Sequence, residues 1–284
     1  MPAGNVFAKI DNEYYQLTGA EKKVADYVVL HQQKTQFMSI SELAEEAGVA
    51  EATISRFCRR LGYKGYNAFK LAVANSTAKS DDTNPLAGEV LETDSIPDMC
   101  RKIYAADLDA MTQTLELIRP EALTRAADLL LGAEKVVCMG LGGSMLLAQE
   151  CAHLFSTTFP NFVPVWDSHL QSIAACQLTQ RDVVMYFSYS GATRDVVDIM
   201  KIIRERGAKA IFVTRFPKSP GAAYADVVLQ CGSREGPLQL GSIAARIAQL
   251  YLVDVLFSEV CRRDMEGCRR RRKQVADVLA GKHV

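Results

Sequence analysis

Two short runs concentrate hydroxyls and glycines where an anion could be held: Gly140-Leu-Gly142-Gly143-Ser144 and Ser188-Tyr-Ser190-Gly191-Ala-Thr193. Each follows an apolar stretch and precedes a segment with helical spacing. At such a junction backbone N–H groups and the helix dipole favour negative charge. Ser188, Ser190 and Thr193 place three O–H donors around Gly191, so a phosphate could be surrounded without any lysine. Gly142 and Gly143 would let the backbone approach a ligand, and Ser144 either contacts it or caps the following helix. A second chemistry belongs to Thr53, Ser55, Arg56, Arg59, Arg60 and Lys64. From Ala52 to Lys79 there are six basic residues and no Asp or Glu, the one-signed surface that attraction to DNA phosphates requires. Arg56 suits a guanine edge or a phosphate; Arg59, Arg60 and Lys64 suit phosphates.

These groups need elements to hold them. Thr18-Gly-Ala-Glu21 is a capping box opening a helix with Val24, Ala25, Val28 and Val29 inward, and Ser39-Ile-Ser41-Glu42 opens a second that ends at Gly48. A third helix is predicted from Glu51 to Leu61 with Ile54, Phe57 and Leu61 inside, and a fourth from Tyr66 to Thr77. Helix, glycine turn and helix is the layout that places a reading helix in a major groove, with Thr53, Ser55, Arg56, Arg59 and Arg60 outward. Beyond two further helices, at about Met99–Ile118 and Pro120–Leu131, five apolar runs alternate with helical segments. They are Lys135–Gly140, Phe162–Asp167, Asp182–Ser188, Lys209–Arg215 and Asp226–Cys231. This alternation predicts an α/β fold, a doubly wound five-stranded parallel sheet, behind an all-α N-terminal domain. The expected division is a helix-turn-helix domain at 1–78, a polar linker at 79–98, and the sheet domain with its C-terminal helix at 99–284.

Composition narrows the classes. The 284 residues are 49% hydrophobic and 23% charged, as in ordinary globular proteins, and 33 basic residues balance 33 acidic ones, so any basic surface is local. No segment approaches eighteen consecutive apolar residues and the N-terminus lacks a leader pattern, which leads us to expect a soluble cytoplasmic protein. Eight cysteines include no Cys-x-x-Cys pair, which suits buried reduced thiols better than a metal site. Gly140-x-Gly142 with Asp167 hints at a dinucleotide, but Met145 stands where the third small residue must pack. No cofactor or metal is therefore expected. The arginine-rich Cys261–Lys273 run reads as a solvated last helix or a subunit contact.

The run from Met38 to Tyr66 resembles the N-terminal domain of the RpiR family of bacterial regulators. That family usually has Ser or Thr where this chain has Ala50, at the cap of the reading helix. Residues Lys135 to Val260 resemble the sugar isomerase (SIS) domain, through Val165-Trp-Asp-Ser-His-Leu-Gln171, the Ser188–Thr193 run and Gly241–Phe257. The resemblance implies a transcriptional regulator whose partners are a double-stranded DNA operator, a phosphorylated sugar and further copies of itself, as homodimer or homotetramer. It implies that Ser188, Ser190 and Thr193 hold the phosphate and that Ser144 meets the sugar, with Gly142, Gly143, Gly191 and Glu235 completing the site. Tyr189 stands where relatives often carry another polar or basic residue, so the sugar is not implied. SIS domains also serve isomerases, which need a base, and Glu150, His153, His169 and Glu235 are the available residues.

Overall fold

A computed structural model describes residues 5–83, 90, 92–232 and 243–281, and it divides into two compact units, Met1–Leu91 and Glu92–Val284. The first unit is helical: α1 (Val6–Glu13), α2 (Gly19–Leu30), α3 (Gln32–Thr35), α4 (Ile40–Glu46), α5 (Glu51–Arg60) and α6 (Tyr66–Thr83). Both capping boxes form, Thr18 with Glu21 and Ser39 with Glu42, so two of the helix starts are set by side-chain chemistry readable in the chain. The apolar faces meet in one core of Val24, Val28, Leu43, Ile54, Phe57, Phe69 and Val73. Phe57 meets Phe69 edge-on at 5.6 Å, an arrangement that adds to simple burial. The unpredicted α1 closes this core with Val6, Phe7 and Ile10, and the Val6 N–H donates to Ser76 Oγ of α6 at 3.1 Å.

Helix α6 runs six residues past Thr77, into what composition suggested was linker. The added stretch is polar but includes no Gly or Pro, so nothing in it breaks the helix through Thr83. Similarly α7 begins at Ile96 rather than Met99. Ser95 caps it, accepting from the Asp98 N–H, and Pro97 lies in the first turn, where proline costs no intrahelical bond.

The second unit continues with α7 (Ile96–Leu117) and α8 (Pro120–Gly132), then β1 (Lys135–Gly140), α9 (Gly143–Ser156), β2 (Phe162–Val165), α10 (Ser168–Cys176), β3 (Asp182–Phe187), α11 (Arg194–Glu205), β4 (Lys209–Thr214) and β5 (Val227–Gln230). It ends with α12 (Ile243–Arg263) and α13 (Met265–Ala280). All five strands are parallel, in the order β2-β1-β3-β4-β5. The strands are apolar on both faces because both faces are covered. Val136 and Cys138 enter a core with α8, α9 and α12, while Val137 and Met139 enter another with α10 and α11.

The chain passes from β1 outward to β2, then back across to β3. A topological switch point therefore lies between β1 and β3, where ligands of doubly wound sheets collect. The two strands are in register, Gly140 opposite Phe187, so their loops leave the sheet edge side by side.

Of the eight unpaired cysteines, Cys58, Cys138, Cys151, Cys231 and Cys268 are buried, but Cys100 and Cys176 are exposed, unlike the general expectation. The arginine run is not simply solvated either. Arg271 pairs with Asp264 and lies over Phe159, and Arg272 lies over Phe257. Among the described residues no helix is long and apolar enough to cross a membrane.

Candidate functional site

At the first loop, Gly140 is forced by space: a Cβ there would sit 2.6 Å from the Ser144 carbonyl oxygen. Gly142, at φ +55°, is the N-cap of α9 and supplies no side-chain bond. Ser144 lies inside the first turn. Its N–H donates to Leu141 O at 3.1 Å, and its half-buried hydroxyl bonds to none of the described residues. Of the two roles open to Ser144, capping is thus not the one adopted, and the hydroxyl is available at the loop.

The second loop is a folded cup. Ser188, buried at its base, accepts the Gly191 N–H at 3.1 Å, and Ser190 accepts the Ala192 N–H at 3.4 Å. A serine oxygen that accepts a bond keeps its O–H to donate, so this internal bonding leaves the donors an anion needs. Thr193 is the N-cap of α11 but makes no side-chain cap bond, and its hydroxyl is exposed. The cup is held from β4: the Thr214 hydroxyl and the Arg215 N–H both donate to Tyr189 O, at 3.0 and 3.1 Å. Gly191 is left-handed at φ +61°, and a Cβ on it would fall 2.0 Å from Ser219 Oγ, so here glycine is required by backbone and space together.

In the helical unit, α4 and α5 join through Gly48 at φ +62°, and the Val49 N–H donates to Ala44 O at 2.9 Å. Helix α5 starts at Ala50 without a side-chain cap, which forgoes about 1 kcal/mol. Glu51 in its first turn instead accepts from Ser41 Oγ of α4, which ties the two helices. Arg56, Arg59 and Lys64 are exposed and Ser55 is half-buried, with Ser55, Arg56 and Arg59 along one face.

Of the residues expected outward, one is buried and another, though exposed, is engaged by the helical unit itself. Thr53 is buried and accepts from Arg56 Nη2 at 3.3 Å, because the inward stripe through Ile54 and Phe57 includes its position. Arg60 turns back to donate to Gln16 O and pairs with Glu21 at 3.4 Å. Burial alone would raise the Glu21 carboxyl, but Thr18's N–H and hydroxyl, then Arg60 and Arg56, hold it below its ordinary value. Arg60 is therefore occupied with the reading helix's own support.

Of the four residues that could act as a base, the three that are described do not gather at the loops. Glu150 and His153 form an exposed pair at 3.7 Å some two turns along α9 from the loop. His169 is exposed at the start of α10, and Glu235 lies outside the described residues. Pattern reading assigned no role to Thr214, Arg215 or the buried Gln171 of α10. Gln171 offered no signal in the chain, because its partners lie at the ends of three strands that only the fold brings together.

A helix-turn-helix with a basic outer face, followed by a doubly wound sheet with a hydroxyl-lined cup at its switch point, defines a class: transcriptional regulators carrying an SIS domain. Residues 4–80 match the helix-turn-helix domain of the rpiR family, and residues 129–259 match the SIS domain. An HTH-type transcriptional regulator of Caldanaerobacter subterraneus subsp. tengcongensis is 32% identical over 280 residues, spanning 99% of both chains. HexR, an HTH-type transcriptional regulator of Escherichia coli, is 30% identical over 278 residues, 97% of this chain and 94% of that one. The structure of Vibrio vulnificus NanR, solved in complex with ManNAc-6P, aligns with a TM-score of 0.64 at 25% identity, covering 99% of this chain and 100% of NanR. The chain belongs to the RpiR family of HTH-type transcriptional regulators.

Proposed function

We propose that the chain binds an operator through α5 and that a phosphorylated sugar, held between the β1 and β3 loops, changes that binding. The observation that carries the ligand reading is the Ser188–Thr193 cup, with three hydroxyls around the uncapped start of α11 beside the switch point. The complex of NanR with ManNAc-6P supports the same ligand class. Ser188, Ser190, Thr193 and the Gly191 backbone receive the phosphate; Gly142, Gly143 and Ser144 face the sugar, with Glu235 as a further ligand contact. At the DNA, Ser55 and Arg56 lie against base edges or the nearest phosphates, and Arg59 and Lys64 hold phosphates. Thr53 and Arg60 act behind them, as supports of Arg56 and of the α2–α5 packing.

Operator binding is the work of a homo-oligomer in the cytoplasm, because paired reading helices match a two-fold operator. The sheet unit acts as a sensor and turns over no sugar, a reading supported by relatives named as regulators. Binding of sugar and operator is reciprocal: a sugar that loosens DNA is itself bound more weakly by the DNA complex. A thermal-shift screen of hexose, pentose and N-acetylhexosamine phosphates tests the reading. We expect one class to stabilise the wild type and not Ser190→Ala, since a ligand stabilises only the state that binds it. Equal stabilisation of both proteins, or chemical conversion of the sugar, would contradict it.

A further inference from the structure

Beneath the two loops a single side chain joins three strand ends. Gln171 is fully buried, and its amide is used from both sides. Nε2 donates to Gly140 O at 2.7 Å and to Val165 O at 2.9 Å, and Oε1 accepts the Tyr186 hydroxyl at 3.3 Å. Gly140 is the last residue of β1, Val165 the last of β2, and Tyr186 the penultimate residue of β3. Carbonyls at strand ends run out of ladder partners, and buried ones must find another donor. Here one amide supplies it for two strands and is itself anchored on the third, so the strands bracketing the switch point are locked at their carboxyl ends.

The consequence falls on the ligand loop. The Gly140 backbone lies so close to the start of α9 that a Cβ on it would fall 2.6 Å from the Ser144 carbonyl oxygen, so a shift of Gly140 toward α9 would press on the Gly142–Ser144 turn. The bond from Gln171 also engages a carbonyl oxygen that, turned toward the crevice, would repel an anion. We infer that Gln171 is a positioning residue of the crevice, setting the distance between the β1 and β3 loops and relaying the placement of the Asp167–His169 turn to Gly142–Ser144. The inference rests on the phosphosugar reading of that crevice. Gln171 itself touches no ligand.

Three variants test it. Gln171→Met keeps the volume and removes every polar bond, Tyr186→Phe removes the anchor alone, and Gln171→Glu removes the two N–H donors. In the ligand-free protein, amide exchange in 141–145 should quicken about tenfold in Gln171→Met while β4 keeps its protection, and titrations with N-acetylmannosamine 6-phosphate and glucose 6-phosphate should weaken about tenfold. Tyr186→Phe should give about threefold, the share of one bond. Gln171→Glu carries the decisive signature. Burial raises its carboxyl, and the protonated form still donates one bond, so its affinity should recover relative to wild type as pH falls from about 8 to about 5. The neighbouring titratable groups, Asp167 and His169 on α10, Asp195 on α11 and Tyr186, are common to both proteins and cancel in that comparison. Unchanged exchange in Gln171→Met, or a Gln171→Glu profile parallel to wild type, would overturn the inference. If neither sugar binds wild type, the phosphosugar reading fails for these sugars while the exchange data still decide the role of Gln171. Should Gln171→Met not fold, Tyr186→Phe and the acid recovery of Gln171→Glu decide it.

Discussion

Gly48 and Gly191 have nearly the same left-handed backbone, φ +62° and +61°, one at the turn between α4 and α5 and the other in the Ser188–Thr193 cup. Their surroundings differ. A Cβ on Gly48 would meet nothing within 4 Å, whereas one on Gly191 would collide with Ser219 at 2.0 Å and approach Phe212 at 3.2 Å. The turn of the reading head is an open hinge whose glycine serves conformation alone. That of the Ser188–Thr193 cup is packed, and its glycine serves conformation and space together. A surface that meets a macromolecule from outside can afford room behind its turn, while one that encloses a small anion needs every atom placed.

The largest effect should come from breaking the packed turn. Gly191→Ala combines an unfavourable backbone with a buried clash and should cost the sheet unit about 3 kcal/mol, together with its phosphosugar response. Calorimetry that resolves the two units would check this, with the helical unit expected to melt as in wild type. Next, Arg56→Ala should weaken operator binding by about 1–3 kcal/mol if it contacts a base, and equally on all sequences if it holds a phosphate. Competition gel shifts with operator and unrelated duplexes distinguish the two.

Glu21→Gln should destabilise the helical unit by about 1–2 kcal/mol at neutral pH, through the weakened capping box and the lost Arg60 pairing. Because the folded-state carboxyl is held low, its contribution is present above the ordinary carboxylate range and is lost as pH falls through the lowered value. The gap between wild type and variant should therefore close in acid, which urea titrations at several pH values would reveal. The smallest effect belongs to the open turn: Gly48→Ala should cost about 1 kcal/mol and Gly48→Asn less, since asparagine tolerates this conformation. A loss at Gly48 as large as at Gly191 would erase the contrast between the two turns.

Much of this was legible because periodic patterns and local caps are written in contiguous residues. All five strands fall within two residues of the apolar runs, and Thr18–Glu21 and Ser39–Glu42 start helices where their spacing requires. The glycine and hydroxyl loops were legible for the same reason. What was hidden depends on contacts distant in sequence. Arg60 looks like another outward cation until Gln16 and Glu21, some forty residues earlier, fold against it. Gln171 acquires meaning only when β1, β2 and β3 lie side by side, and α1 is recognisable only by the α6 surface it covers. The last turns of α6 are hidden because their polar composition reads as linker, although no Gly or Pro interrupts the helix through Thr83.

If the cup controls the reading head, occupancy of the cup must be felt at the DNA. The most direct measurement is operator affinity, on a duplex selected from random DNA by the wild-type protein, titrated with each phosphosugar for wild type and for Ser190→Ala. One phosphosugar should shift wild-type affinity at least about fivefold, the low end of ordinary coupling, while Ser190→Ala binds DNA normally and does not respond. A response of equal size in both proteins, or wild-type affinity indifferent to a phosphosugar bound at saturation, would contradict it.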